Sequence, residues 1–280
     1  MSFITDFIEY DFLFNSLIGV ILISLICGLL SPLIVSKRLA FMGSALSHSS
    51  LLSISLSLSI FTLDQALPLF TLNTLLITLL VSTLATFTFR QKIPTDSLIG
   101  IFLTVSMALG IIVLKLFSKE NVDLSSLLFG NVLLITRTDL LILFILLVTV
   151  FFTLWIPRHK WIFLIQDEEA ALIQGVNIKF YHYLFYILLG VTVSASIKLM
   201  GTVVVNTLLL IPGVLALKTA RSLKSMVLIS TVFSLAFSIL GLVLGNSFEL
   251  PSGATIAVTL FLGLVVCVKL LPGSGQISKL

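Results

Sequence analysis

His48 is the one ionisable residue well inside an apolar run, FMGSALSHSSLLSISLSLSI, and the run is rich in serine. At 100° per residue, Ser44, His48, Ser55 and Ser59 share one helical face within an arc of about 60°. An ionisable side chain at membrane depth reads as functional by default. Its imidazole can act as a transient ligand for a divalent transition metal. The same residues also fit a histidine hydrogen-bonded to a neighbouring helix, with serines easing close packing. Residue chemistry alone leaves both readings open.

The second informative stretch is Pro157 to Lys179, PRHKWIFLIQDEEAALIQGVNIK, the longest polar interruption in the chain. Its centre predicts a short helix. Asp167 can cap the N-terminus, Glu168 and Glu169 place negative charge on the first turn, and Gly175 ends it. Isolated helices need roughly 12–15 residues to be even marginal in water, so this one must dock on something. It either rests on its own membrane domain or seats against a soluble partner.

The elements that position these residues are membrane spans. Of 280 residues, 58% are hydrophobic and 10% charged, with a mean hydropathy of +1.23. A soluble domain carries about 25% charged residues, so the chain is a polytopic membrane protein without room for a soluble domain. Apolar runs fall at about 12–35, 41–62, 66–89, 97–117, 139–156, 180–200, 202–217, 225–245 and 253–270. The expected fold is a single all-α transmembrane domain over residues 1–280, a helical bundle of about nine spans. Residues 118–138 are mixed and too broken to span, which suits a re-entrant or interfacial segment. Lys37 and Arg38, Arg90 and Lys92, Arg158 and Lys160, then Lys218, Arg221 and Lys224 fall on alternate loops. By the positive-inside rule those loops are cytoplasmic, with the N-terminus outside and the C-terminus inside. The acidic N-terminal stretch (Asp6, Glu9, Asp11) is unlike a cleavable signal, so the first span is expected to stay.

Gly201 and the pair Pro212–Gly213 interrupt otherwise long helices. Backbone groups freed at membrane depth survive only where protein or a water-filled cavity satisfies them, which indicates a packed interior or a pathway. The absent chemistry is equally informative. Asp64, Asp96, Asp139 and Glu249 sit near span ends, so no carboxylate is available at mid-membrane for ion-coupled transport. No HExxH, GxSxG or GxxxxGK[ST] occurs, so no catalytic residue is assigned and any nucleotide-driven motor is another polypeptide. Cys27 and Cys267 lie in apolar segments and form neither a disulfide framework nor a metal-ligand pair. The net charge of +4 sits in short loops, which suits membrane orientation and not nucleic-acid binding.

Four stretches, KRLAFMGSALSHSSL, LLFGNVLLITRTDLL, DEEAALIQGV and VTVSASIKLMGTVVVNTLLLIPGVLA followed by LPSGATIAV, resemble the permeases of bacterial ABC importers for zinc, manganese or iron. Together they cover most of the chain between residues 37 and 258. The last three also resemble the cobalamin and siderophore (type II) importer permeases, which have one further N-terminal span. The resemblance implies a bacterial inner-membrane permease with two cytoplasmic ATPases, an extracytoplasmic solute-binding protein and a second permease, identical or closely related. The cargo would be a divalent metal ion, with no permanently bound cofactor. Asp167, Glu168, Glu169, Ala170 and Gly175 match the coupling helix that seats in the ATPase. His48 matches a pathway histidine, whereas Ser44 stands where many members carry an aspartate. That departure also fits a permease for a metal chelate, whose path needs no ligand. An ion-coupled transporter, an intramembrane enzyme and a membrane scaffold fit the residues less well.

Overall fold

A computed structural model of the chain describes residues 11–37, 39–60, 72, 74–79, 95–117, 130, 135–166 and 168–270. Its elements are α1 (Asp11–Ser36), α2 (Ala40–Ile60), α3 (Thr95–Phe117), α4 (Arg137–Trp155), α5 (Arg158–Gln166), α6 (Glu168–Ile173), α7 (Ile178–Thr219), α8 (Leu223–Ser247) and α9 (Ser252–Leu270). The fold is an all-α polytopic bundle. Seven helical stretches among the described residues are long and apolar enough to cross a membrane: α1, Ser97–Phe117, α4, two arms of α7, α8 and α9. The sequence predicts about nine spans. One difference is α2, which has the length at 21 residues but carries eight serines and His48, diluting its hydropathy. The other is the expected span at 66–89, most of which lies outside the described residues.

α7 runs for 42 residues. At 1.5 Å per residue a straight helix of that length would extend roughly 63 Å, twice the hydrocarbon thickness. It therefore has to break, and it does so at Gly201, whose φ of 77° and ψ of 166° are non-helical. The arms on either side, Ile178–Ile197 and Leu199–Thr219, are each span-length. Gly130, itself at φ 66°, lies directly on this break: a Cβ there would collide with the backbone of Leu199 to Gly201. Gly130 thus sets bare backbone against the kink, while most of the mixed stretch 118–138, expected to be re-entrant or interfacial, lies outside the described residues. α4 then starts with a capping box, in which the Asp139 N–H donates to Thr136 Oγ1 at 3.3 Å and the Thr136 N–H donates to Asp139 Oδ2 at 3.1 Å. Asp139 is spent on a helix terminus, as its place near a span end suggests.

α1 is the central helix, packed against α4, α7 and α8. Pro32 lies inside it and has no N–H for the Gly28 carbonyl one turn back. Ser230 of α8 supplies the missing donor, with its hydroxyl 2.8 Å from Gly28 O. Ser234 donates likewise to Ser24 O at 2.9 Å. In α7, Pro212 disturbs the ladder in the same way, and the next N–H, of Gly213, donates to Ser31 Oγ at 2.7 Å. The sequence reading asks where backbone groups near Pro212–Gly213 find partners, and for Gly213 the answer is α1.

Two substitutions test this framework through the unfolding midpoint of purified protein in detergent. Ser31→Ala strands the buried Gly213 N–H and should cost about 1–3 kcal/mol. Gly130→Ala adds a left-handed backbone penalty of about 1–2 kcal/mol to its collision with the kink. Gly100 has open space around its Cα, so Gly100→Ala should be neutral or slightly stabilising; equal losses in all three would refute the assignment.

Candidate functional site

On α2, Ser44 and His48 are half-buried one turn apart on the same helix face. The remaining serines mostly satisfy themselves. Ser55 Oγ donates to Leu51 O at 2.6 Å and Ser59 Oγ to Leu56 O at 2.6 Å, so two of the four residues predicted to share a polar face turn their protons back into their own helix. Ser49, Ser50 and Ser57 do likewise, at 2.9, 2.6 and 2.9 Å. Such back-bonding lets hydroxyls lie at membrane depth without a second partner.

α2 packs against α7, and several polar atoms on the two helices are left over. A Cβ on Gly43 would lie 3.0 Å from Asn206 Oδ1, which fixes the register of the two helices. Among the described residues, Ser47 Oγ and His48 Nδ1 on α2 and Thr202 Oγ1 and Asn206 Oδ1 on α7 are buried with no protein hydrogen-bond partner. Thr202 and Asn206 are four residues apart and share a face. Each such atom costs roughly 1–3 kcal/mol if its surroundings are dry. Water or a polar cargo relieves that cost. Sequence reasoning singled out His48 and missed Asn206 and Thr202. The available signal was the lone amide in VVVNTLLL.

Residues 157–179 hold two helices where the sequence predicts one. α5 is anchored by Trp161, which is buried and whose Nε1 donates to Thr153 O at 3.0 Å. Its ring meets Tyr181 edge-on with centroids 5.1 Å apart. α6 (Glu168–Ile173) is the expected short helix; Asp167, its expected cap, lies outside the described residues. Its C-terminus closes as a Schellman motif. The Val176 N–H donates to Ala171 O at 3.0 Å, the Gly175 N–H to Leu172 O at 2.9 Å, and Gly175 adopts φ 74°. Ala171 and Val176 are buried beneath this turn, the apolar contact that accompanies the motif. Leu172 and Ile173 point the other way and are 61% and 88% exposed, an apolar tip with no cover among the described residues. Glu169 and Ala170 sit on the same short helix, Glu169 exposed and Ala170 half-buried.

Glu168 faces the membrane domain. Lys37, just past α1, donates to Glu168 Oε1 at 2.6 Å and lies 3.0 Å from His182 Nε2 at the start of α7. His182 Nε2 is itself 3.3 Å from the same carboxylate oxygen. An ammonium only donates, so the Lys37 contact makes Nε2 the acceptor of a neutral imidazole. Burial pulls the Lys37 ammonium below its ordinary value, and the bond to Glu168 opposes that shift. Burial alone would raise the Glu168 carboxyl; the Lys37 hydrogen bond and charge hold it below the usual range.

A family model described as the ABC 3 transport family matches residues 9–270. Over 266 residues the chain is 32% identical to the manganese import system permease protein ScaB of Streptococcus gordonii, covering 92% of this chain and 91% of that one. It is 29% identical over 249 residues to the high-affinity zinc uptake system membrane protein ZnuB of Haemophilus influenzae, covering 89% and 94%. Among solved structures, PsaBC from Streptococcus pneumoniae in complex with Fab matches with a TM-score of 0.85 at 29% identity, covering 99% of this chain and 98% of that chain.

The unpartnered Oδ1 of Asn206 is open to measurement. Replacing a buried polar group that lacks partners with an apolar one of similar volume is nearly neutral. Asn206→Leu should therefore leave the unfolding midpoint within about 1 kcal/mol of the original or raise it. A loss above about 2 kcal/mol would mean that the amide is hydrogen-bonded within the protein.

Proposed function

The chain belongs to the ABC 3 transport family, and from that premise we propose that it is the membrane-spanning permease subunit of an ATP-driven importer. Its cargo is a divalent metal ion, zinc, manganese or iron, moved across the bacterial inner membrane. Hydrolysis belongs to separate cytoplasmic ATPase subunits, and an extracytoplasmic solute-binding protein delivers the metal. A second permease, identical or closely related, completes the membrane part. The N-terminus lies outside and the C-terminus in the cytoplasm, so residues 157–179 face the ATPase.

The observation that carries this reading is the tip of α6. A six-residue helix cannot persist alone, yet this one is capped, buried on one side and leaves Leu172 and Ile173 uncovered on the other. An apolar tip on a rigid mount is what a groove in a motor subunit would receive. Glu168 and Glu169 supply its charge and Gly175 its stop, and with Asp167 and Ala170 they make up the coupling set. Ile173 is solvent-facing in the free chain, so Ile173→Asp should leave insertion and protein level unchanged. It should reduce co-purification of the ATPase at least tenfold. Normal co-purification and normal uptake in this variant would remove α6 from the coupling role.

His48 and Ser44 line the translocation pathway, with the orphaned atoms of Ser47, Thr202 and Asn206 as its polar wall. Gly201, Pro212 and Gly213 shape the α7 side. The metal is the substrate, and the set of neutral oxygens with one imidazole would hold it weakly enough to release it. An amide lacks the affinity of an imidazole nitrogen for borderline metals, whereas it can keep one hydrogen bond in a dry contact. His48→Gln should lower metal uptake severalfold at normal protein level. Ser44→Asp should tighten metal binding. Uptake at the original rate in His48→Gln would return His48 to a packing role.

A further inference from the structure

We propose that Lys37 is a positioning residue that ties the coupling helix to the pathway helix, with Glu168 and His182 as its two anchors. The inference rests on the permease reading above and extends it to residues within the membrane domain. Lys37 sits in the turn between α1 and α2, three residues before α2 begins at Ala40. α2 carries Ser44 and His48 within its first nine residues. Lys37 is thus covalently close to the pathway and non-covalently bonded to α6 through the 2.6 Å contact with Glu168. The 3.0 Å contact with His182 adds the first arm of α7, so one ammonium joins the three elements that would have to move together.

Exposure separates a docking contact from an internal link. The Lys37 side chain is 13% exposed and that of Glu168 50% exposed. The lysine end is therefore out of reach of a soluble subunit, while the carboxylate sits at the rim of α6. Leu33, Trp161, Leu164, Ile165 and Phe185 surround Lys37 and His182, and this apolar lining strengthens the ion pair relative to one in water. A buried ammonium that loses its partner is strongly unfavourable. When α6 is displaced, the α1–α2 turn is therefore drawn along and does not part from it. The groups α6 offers the ATPase are then Leu172 and Ile173, while Glu168 transmits.

The test uses the complete transporter in proteoliposomes, with metal uptake, ATP hydrolysis and ATPase co-purification measured side by side. Lys37→Met and Glu168→Gln should both keep the ATPase bound but lower the metal moved per ATP hydrolysed severalfold. Lys37→Arg should keep the original ratio, and the swap Lys37→Glu with Glu168→Lys should recover part of it. Glu168→Gln changes a half-exposed side chain to its near-isostere, so it remains informative even if Lys37→Met fails to accumulate. Loss of the ATPase from Glu168→Gln would make the carboxylate a docking contact and overturn the link. An unchanged ratio in Glu168→Gln, or a swap no better than either single change, would overturn it as well. An unmodified protein that recruits no ATPase would instead overturn the permease reading and the link together.

Discussion

In a hydrocarbon medium a backbone N–H or C=O has no water to fall back on, so each break in a helix has to be answered from within the protein. The bundle is organised by that requirement. Pro32 in α1 and Pro212 in α7 each weaken a helix that cannot be spared, and the compensation comes sideways. Ser230 of α8 donates to Gly28 O, and the Gly213 N–H of α7 donates to Ser31 Oγ of α1. These bonds fix three helices against one another at defined heights, which apolar packing in lipid does less sharply, since lipid tails are as apolar as leucine. α1 is accordingly the most enclosed span, with 72% of its apolar window buried. The peripheral α3 and α4 are each only 17% buried and present their apolar residues outward.

The same rule separates α2 from the other spans. Its serines answer their own hydroxyls through carbonyls one turn back, so the helix can be polar in composition without presenting charge. Ser47 Oγ and His48 Nδ1 on α2, like Thr202 Oγ1 and Asn206 Oδ1 on α7, have no hydrogen-bond partner among the described residues. A divalent cation surrenders its hydration shell reluctantly, and a carboxylate cage at mid-membrane would hold it too long. If these residues line a pathway as proposed, neutral oxygens with a single imidazole offer polarity with too little field to trap the ion. On the permease reading, Ser44 is then consistent with the rest of the pathway, where neutral oxygens predominate.

The legible parts of this chain were those written in local pattern. Span positions follow from apolar runs, and the break in α7 from Gly201. The stop of α6 follows from Gly175, whose positive φ only glycine adopts cheaply. The count of crossing helices depended on α2, where composition and length pull in opposite directions. Pairings between distant residues were not legible. Lys37 and Glu168 are 131 positions apart, and nothing in either neighbourhood specifies the other. α5 was hidden for a similar reason: its nine residues are too few to be helical by propensity, and they hold because Trp161 finds Thr153, Tyr181 and Phe185. Asn206 was visible as a lone amide, but its significance needed the neighbouring helix at Gly43.

Short elements transmit force only if they are stiff, and α6 is stiff for reasons that its length conceals. Its C-terminal carbonyls are closed by the Schellman bonds of Gly175 and Val176, and its apolar underside is sealed by Ala171 and Val176. Its first turn is tied to Lys37 through Glu168. On the permease reading, a push on Leu172 or Ile173 would reach the membrane domain through these contacts. α5 reinforces the same mount, since Trp161 and Leu164 are buried and line the space beside Lys37 and His182. On the permease reading, stiffness then lies where a mechanical signal would enter, while the unpartnered polar atoms of α2 and α7 lie within the helical bundle. That division is consistent with the desolvation cost of each group, since the Lys37–Glu168 pair sits at helix ends, where its charge is tolerable.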